Sequence, residues 1–315
     1  MKKTESVGID VSKLDLDVAV LGEEGTEFGR FRNEKEEKIN EMLSFLQSRG
    51  VSPTTPIVVE STGSYHWLVC VMLSEAGYNV CVINPLLTKK YQLASIRGAK
   101  TDRIDAARLA EIGLREKSLS KFFDSRETLS HRRYVSLLSK VEHVKQQLSR
   151  AYKAAVEATD CLGVCLDLEC LEATLTQLDM CRDMLKQAIE RNAENRAQYL
   201  ADSTRGLSLF QAAVLCQAVS GKHFETKEQL IAFFGLDVRK RESGSWRGRE
   251  RLSKRGNAYY RKILFQIGWS LKQNNPHYTA YHRSLTDRNK HYYTATIATA
   301  RKFLRFFWAI KFKNL

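Results

Sequence analysis

The chain has 315 residues, of which 43% are hydrophobic and 27% are charged, a composition typical of a globular protein with room for two domains. No apolar run is long enough to cross a bilayer, and the N-terminus leads into a predicted strand, which argues against a membrane protein and against a secretory signal. The seven cysteines include no Cys-x-x-Cys pair, so we expect reduced thiols, no zinc site and a cytoplasmic location.

The formal net charge of +14 is unevenly distributed along the chain. Residues 203–315 contain 22 Lys and Arg against 6 Asp and Glu, whereas residues 1–202 contain 28 against 30. A near-neutral part followed by a strongly basic part indicates that the second part faces a polyanion. Nucleic acid is the first candidate, and no lipidation signal supports an anionic membrane surface instead.

Strands and helices alternate in the first part of the chain. Apolar residues from Leu14 to Val20 alternate with Asp15, Asp17 and Ala19, the pattern of a half-buried strand. The predicted strands cover 7–11, 14–20, 28–32, 57–60 and 80–83, and the predicted helices cover 35–49, 65–76 and 86–96. This order predicts an α/β domain with a mixed sheet.

Four acidic residues stand at the ends of predicted elements. Asp10 and Glu60 come at the ends of apolar strands, where an unpaired charge is costly to bury. Asp102 and Asp105 lie on one face of the first turn of a helix for which Thr101 is the predicted N-cap. The simpler alternative for that helix is a solvated acidic first turn.

Convergence of these four carboxylates would require a cation. Ligands bind outside the carboxyl ends of strands in such sheets, and oxygen ligands select Mg²⁺ or Mn²⁺. Two such metals are the usual device for cleaving a phosphodiester. We expect Arg103 and Arg108 to leave the helix in other directions.

The middle of the chain predicts two long helices with heptad-like seams. The first seam consists of Leu137, Val141, Val144, Leu148, Ala151 and Ala155. The second consists of Leu168, Leu171, Leu175, Leu178, Leu185 and Ile189. These helices form either a hairpin within the chain or a dimerisation surface.

The last part of the chain is mainly helical, with predicted helices at 207–218, 226–234 and 294–310. A basic segment interrupts it, and glycines at 244, 248 and 256 favour a flexible loop that wraps phosphates. The candidate nucleic-acid-binding residues are Arg239, Lys240, Arg241, Arg247, Arg249, Arg251, Lys254, Arg255 and Arg261.

A serine among these cations is a candidate nucleophile. Neighbouring positive charge favours an alkoxide and stabilises the charge that a phosphorane gains. The alternatives are a turn-forming Ser243 and a helix N-cap at Ser253. The residues themselves do not choose among Ser243, Ser245 and Ser253.

Several motifs together resemble one family, the DEDD insertion-sequence transposases, which are RuvC-like recombinases guided by a bridge RNA. The motifs are Asp10-Val11-Ser12-Lys13, Glu60-Ser61-Thr62-Gly63-Ser64-Tyr65-His66, Asn84-Pro85, Lys100-Thr101-Asp102-Arg103-Ile104-Asp105-Ala106, Ser243-Gly244, and Leu252-Ser253-Lys254-Arg255-Gly256-Asn257-Ala258-Tyr259-Tyr260-Arg261. The resemblance covers 6–113 and about 203–310.

The resemblance implies an RNase H-like (RuvC-like) domain in which Asp10, Glu60, Asp102 and Asp105 bind Mg²⁺ or Mn²⁺. It implies that Ser243 becomes joined to DNA, that an element-encoded RNA pairs with donor and target DNA, and that long central helices pair protomers within a tetramer. We therefore expect a metal-binding catalytic domain at 1–124, a helical coiled-coil segment at 125–202 and a basic transposase domain at 203–315, in a bacterial, nucleoid-associated protein.

Three other hypotheses remain open at this point. A RuvC-like nuclease would use metal-activated water and no covalent serine. An actin-like sugar kinase would share the Gly8–Ser12 pattern but would need a glycine-rich adenosine loop, which does not appear late in the chain. A nucleic-acid binder without activity would not need the acidic set.

Overall fold

The computed structural model describes most of the chain. The described residues are 4–61, 63–92, 102–116, 119, 121–122, 125–163, 167–239, 242–243, 246–247 and 251–312. The fold divides into two compact units, Met1–Leu129 and Ser130–Leu315. The further division of the second unit at residue 202 stays a prediction.

The first unit is built on a five-stranded sheet. Its strands are β1 (Thr4–Val11), β2 (Asp15–Gly22), β3 (Gly25–Arg32), β4 (Pro56–Glu60) and β5 (Asn79–Ile83), in the order β3-β2-β1-β4-β5. The first three strands form an antiparallel meander, and β4 and β5 run parallel to β1. The predicted mixed sheet is therefore confirmed, and it is compatible with an RNase H-like domain.

Helices cover both faces of this sheet. They are α1 (Glu36–Ser48), α2 (Trp67–Glu75), α3 (Pro85–Gln92) and α4 (Asp102–Arg115). Ile39 of α1 and Leu73 of α2 join the core on one face, whereas Leu109 and Ile112 of α4 pack with Val58 on the other. Alternate residues of each strand therefore face different helices.

The prediction that β2 is half-buried is wrong. Leu16 and Val18 lie in the core beneath α1 and α2, as their alternation predicts. The intervening Asp17 and Ala19 are also buried, because α4 packs against β2 as well as β1. Leu14 precedes the strand and is exposed.

The second unit is helical apart from short strands near residue 245. Its helices are α5 (Arg126–Leu162, which begins in the first unit), α6 (Glu169–Arg191), α7 (Asn195–Ser203), α8 (Leu209–Ala218), α9 (Lys227–Phe233), α10 (Ala258–Asn274), α11 (Pro276–Thr286) and α12 (Tyr292–Phe312). Ser208 and Thr226 form capping boxes at the starts of α8 and α9. Gly268 of α10 allows α12 to approach, since a Cβ there would lie 2.6 Å from the Thr296 carbonyl oxygen.

Polar contacts join α5 to α6. The Lys145 ammonium lies 2.5 Å from the Asp179 carboxylate, and the Tyr152 hydroxyl donates to Glu172. The predicted α5 seam is only partly covered by these contacts: Leu137 is 47% exposed and Val144 is 48% exposed.

The basic segment contains more secondary structure than the predicted flexible loop. The strands β6 (Val238–Arg239) and β9 (Arg251–Leu252) pair antiparallel, as do β7 (Glu242–Ser243) and β8 (Trp246–Arg247). Across the described ranges of both units, no helix has the length and apolar character needed to cross a bilayer.

Candidate active site

A glycine in β1 brings α4 onto the sheet. A Cβ at Gly8 would lie 2.0 Å from the Ala106 carbonyl oxygen and 2.4 Å from the Ala110 nitrogen. Further along, a Cβ at Gly113 would lie 2.2 Å from Ser6 Oγ. The helix therefore runs antiparallel to β1, so that its first turn lies at the carboxyl end of that strand.

Three strand carboxylates occur at this same end of the sheet. The β1–β4 register pairs Ile9 with Val59, and one further step along both strands places Asp10 level with Glu60. On the other side of β1, Asp10 pairs directly with Asp17 of β2. Since side chains alternate along strands, all three carboxylates belong to the sheet face that α4 covers.

The first turn of α4 adds Asp102 and Asp105 to this group. The pKa of Asp10 is raised to about 6, first by burial and then by the charges of Asp105, Asp102, Glu60 and Asp17, in that order. All four predicted acidic residues are therefore brought within electrostatic reach of one another.

Asp17 is a site residue that sequence reasoning missed. Its pKa is raised by burial and by Asp102, while Arg30, whose Nε lies 4.0 Å from the carboxylate, opposes the rise. The signal was present in the sequence, because a tight turn between β1 and β2 pairs Asp10 with Asp17. The alternation of apolar and polar residues in β2 instead predicts that Asp17 faces solvent.

The cations of α4 are arranged differently from the prediction. Arg108 does not leave the acidic turn, because its Nη1 donates to Asp105 Oδ1 at 2.9 Å, which satisfies part of that carboxylate. The Arg103 guanidinium lies over the Phe28 ring, 4.1 Å from its centroid. Thr101, the predicted N-cap, lies outside the described residues.

An open cleft of about 610 Å³ adjoins the acidic residues. Asp17 and Asp102 line it together with Arg30 and Arg103, and Phe28 forms part of its wall. Carboxylates and guanidinium groups therefore share one surface, a mixture suited to a metal ion and a phosphate bound side by side.

The acidic set suits a hard divalent cation in its chemistry, since every donor is a carboxylate oxygen. Among the side chains that the structure describes, however, no three from His, Cys, Asp and Glu lie close enough together to hold an ion. Like charges repel, so such a cluster reaches coordination distance only around a cation. The four carboxylates therefore lie at the carboxyl end of the central strands without being close enough together to form a metal site.

In the second unit, the structure describes only the backbone of Ser243. It pairs with Trp246 across the β7–β8 ladder. Ser245, Lys240, Arg241 and Arg249 lie outside the described residues, as do the side chains of Arg239 and Arg247.

Three of the four described candidate cations lie just before α10, and Arg261 lies in its first turn. Arg251, Lys254 and Arg255 are exposed, whereas Arg261 donates to the Gly256 carbonyl oxygen. These positions leave three of the predicted cations available to a phosphate backbone.

Ser253 does not cap the following helix, which was one alternative role for it. Its hydroxyl donates to the Asp237 carboxylate, which anchors the β6–β9 ladder. The cap of α10 is Asn257, whose side-chain oxygen accepts a 2.8 Å hydrogen bond from the Tyr259 backbone nitrogen.

Comparison with known proteins gives a consistent result for both units. Residues 7–154 match a family model of DEDD type described as a transposase, and residues 198–283 match a model described as the transposase IS116/IS110/IS902 family. A pilin gene-inverting protein of Moraxella bovis is 26% identical over 255 residues, which span 78% of this chain and 75% of that protein. The two models together cover most of the chain and confirm the resemblance of its motifs. The chain therefore belongs to the IS116/IS110/IS902 family of transposases, which are DNA-recombining enzymes.

Proposed function

We propose that this transposase cleaves and exchanges DNA strands by transesterification, through a covalent phosphoserine at Ser243. The proposal is supported by the geometry of the first unit, which places Asp10 level with Glu60 and brings the first turn of α4, with Asp102 and Asp105, to the same end of the sheet. Three elements distant in sequence contribute these carboxylates, a convergence that a solvated acidic turn would not need.

Transposases of the DEDD type are typically dependent on a divalent metal. Asp10, Glu60, Asp102 and Asp105 would hold Mg²⁺, or Mn²⁺, through carboxylate oxygens. When bound, the metal would neutralise charge on the phosphate and favour deprotonation of the attacking hydroxyl. The position of Asp17 beside Asp10 makes it a supporting acid for the same set.

The chemical step at Ser243 conserves the number of ester bonds. Its Oγ attacks the scissile phosphorus, an Oγ–P bond forms, and the P–O bond to a deoxyribose oxygen breaks. The serine proton leaves, and the departing oxygen becomes a hydroxyl. A hydroxyl from another strand then attacks the phosphoserine, so strand exchange needs no ATP.

The nine candidate cations from Arg239 to Arg261 would hold the DNA backbone around this step. Phosphate contacts position a duplex without specifying its sequence. We assign sequence choice to an element-encoded bridge RNA that pairs with donor and target DNA, while the protein reads backbone and shape, as in other RNA-guided systems.

The finer organisation belongs to the same proposal. The first unit is an RNase H-like, RuvC-like catalytic domain, α5 and α6 form a helical hairpin, and the residues after 202 form a basic helical transposase domain. The exposed Leu137 and Val144 would pair protomers into a dimer, and dimers into a tetramer. A bacterial cytoplasmic location at the nucleoid fits these substrates.

The name of the Moraxella relative is consistent with strand exchange, since inversion of a gene requires DNA strands to be cut at both of its ends and rejoined in a new order. The alternative function is a RuvC-like, structure-specific nuclease that uses metal-activated water. It would share the acidic set but would not need Ser243.

The two functions are separated by cleavage of end-labelled donor and target DNA, with the RNA transcribed from the DNA flanking the gene. We expect cleavage in Mg²⁺, none in EDTA, and a loss of at least a hundred-fold, on the order that electrostatic catalysis provides, in Asp102→Asn and in Ser243→Ala. Glu111→Gln is the matched control, since Glu111 is an exposed acid on the same helix. Full cleavage by Ser243→Ala would favour the nuclease.

A further inference from the structure

A row of aromatic side chains lies on the surface of the second unit. Phe265 and Trp269 are one helical turn apart on α10, and Tyr292 and Tyr293 begin α12, where Tyr293 stacks on Phe265. Trp269 is 44% exposed, Tyr292 is 38% exposed and Tyr293 is 59% exposed. We call these four residues the α10–α12 aromatic face.

The rings of this face are already arranged as a stack. The Tyr293 ring packs in an offset, near-parallel arrangement with Phe265, at 5.7 Å and 27°, and with His291, at 5.5 Å and 16°, and it remains 59% exposed. The Tyr292 ring meets Tyr293 edge-on at 5.7 Å. Neighbouring rings thus fix the orientation of Tyr293, so little side-chain freedom remains for a ligand to remove.

Cations border the same face. The Lys272 ammonium lies 4.3 Å from the centroid of the Tyr292 ring. Arg288 and Lys290 are exposed and lie within three residues before His291. Between 258 and 312 the chain has ten Lys and Arg and a single acidic residue, Asp287.

We propose that the α10–α12 aromatic face binds the unpaired bases of single-stranded nucleic acid. Exposed aromatic rings beside cations are the device by which proteins hold single strands, with bases stacked on the rings and phosphates near the charges. A duplex keeps its bases stacked on one another and offers none to these rings. A protein partner would need acidic groups to match the cations.

This site is separate from the proposed chemistry and does not depend on it. Its residues belong neither to the acidic set nor to the basic segment that carries Ser243. It adds a place where an unpaired stretch of guide RNA, or a DNA strand displaced during exchange, would be held. Both ligands offer the same chemistry, and the probes below distinguish them.

The test measures binding of labelled oligothymidylate, oligouridylate and a DNA duplex by the full chain, without metal and without cleavage. Tyr293→Ala and Trp269→Ala should each weaken single-strand binding about ten-fold, because each removes a ring on which a base stacks. Tyr293→Phe keeps the ring and should bind as the wild type does. Duplex binding should change less than two-fold in every variant, roughly the spread expected of surface changes.

Tyr199→Ala is the matched control. Tyr199 lies on α7 of the same unit and is 58% exposed, almost the same as Tyr293. Its loss should leave all three affinities unchanged. A stronger effect on oligouridylate would identify RNA as the preferred strand, and a stronger effect on oligothymidylate would identify DNA.

Two results would overturn the inference: unchanged single-strand binding in both Tyr293→Ala and Trp269→Ala, or an equal loss of single-strand and duplex binding. An equal loss would mean that the substitutions act through the fold or through general charge. Crosslinking of 5-iodouridine strands gives a second readout, and the proposal requires crosslinks at Trp269 or Tyr293. Because none of these binding and crosslinking measurements uses cleavage, their outcomes are independent of the proposed strand exchange.

Discussion

Asp10 is partly buried and lies among other carboxylates, and both features raise its pKa and so affect the stability of the folded chain. Well below pH 3.8 the carboxyl is protonated in the folded and unfolded chain alike, so the raised pKa has no effect on stability there. Above about pH 6 it is ionised in both, and the folded state then carries the cost of that charge. Metal-free protein should therefore lose stability as the pH rises from 3.8 to about 6.

The Asp10→Asn variant removes that cost. In EDTA at pH 8 we expect it to be more stable than the wild type by about 1–2 kcal/mol, after allowance for the partial exposure of the group. The difference should shrink as pH falls below about 5. Scanning calorimetry checks this, and a variant less stable than the wild type at pH 8 would contradict it.

Magnesium provides the opposite test at the same residue. A cation that binds only the folded state raises its stability. We expect Mg²⁺ to raise the melting temperature of the wild type and to do so much less in Asp10→Asn. Equal shifts in the two proteins would mean that Asp10 does not contribute to ion binding.

Gly8 decides how closely α4 approaches the sheet. An added Cβ at Gly8 would meet the backbone of Ala106, which cannot rotate away. A Cβ at Gly113 would first meet the Ser6 hydroxyl, which belongs to a side chain that can rotate. Gly8→Ala should therefore cost about 2–3 kcal/mol or more in stability, and Gly113→Ala should cost less. Denaturant unfolding checks the order, and the reverse order would contradict this account of the packing.

The acids of the site could be predicted only where they break an expected pattern. Asp10 and Glu60 interrupt apolar strands, and Asp102 and Asp105 share a helical turn. The alternation in β2 suggested that Asp17 faces solvent, because the sequence indicates its pairing with Asp10 but not that α4 covers that face of the sheet. Tertiary packing also turns Arg108 back onto Asp105.

At the scale of elements, the heptad pattern of α5 predicts a long helix but not which stripe faces the partner helix. Polar contacts with α6 are made by Lys145 and Tyr152, which the apolar pattern does not include. Most strand and helix positions agree with the sequence pattern to within a few residues. The short helix α7 was missed, and so was α11, which begins at Pro276.

The exposed stripe on α5 makes an oligomerisation test possible. Leu137→Glu combined with Val144→Glu should turn a dimer into a monomer without a change in helix content, because both side chains are exposed within the chain. Leu138→Ala is the contrasting variant: Leu138 is fully buried, and its loss should cost about 2–5 kcal/mol of stability. Light scattering and circular dichroism read out both effects, and an unchanged dimer in the double variant would contradict the proposed interface.

At the scale of the whole molecule, the uneven charge predicts where the DNA backbone lies. Replacing Arg251, Lys254 and Arg255 with alanine should weaken duplex binding uniformly across sequences. It should also reduce the slope of log K against log salt by about 0.9 for each phosphate that the protein no longer neutralises.

The matched control removes three exposed cations from α5, namely Lys140, Arg150 and Lys153, and changes net charge equally. Salt titrations of both triple variants separate a local effect at the phosphates from an effect of net charge. An equal reduction of the slope in both would contradict the assignment of the basic segment.

Mass spectrometry of a stalled reaction would detect the covalent phosphoserine at Ser243. The full chain would be mixed with the flanking transcript, donor and target DNA and Mg²⁺, quenched, and digested with protease and nuclease. We expect a nucleotide adduct on the peptide that contains Ser243, absent in EDTA, in Asp102→Asn and in Ser243→Ala. Cleaved DNA without an adduct on any serine, at the same rate in Ser243→Ala, would contradict the account and favour hydrolysis by metal-activated water.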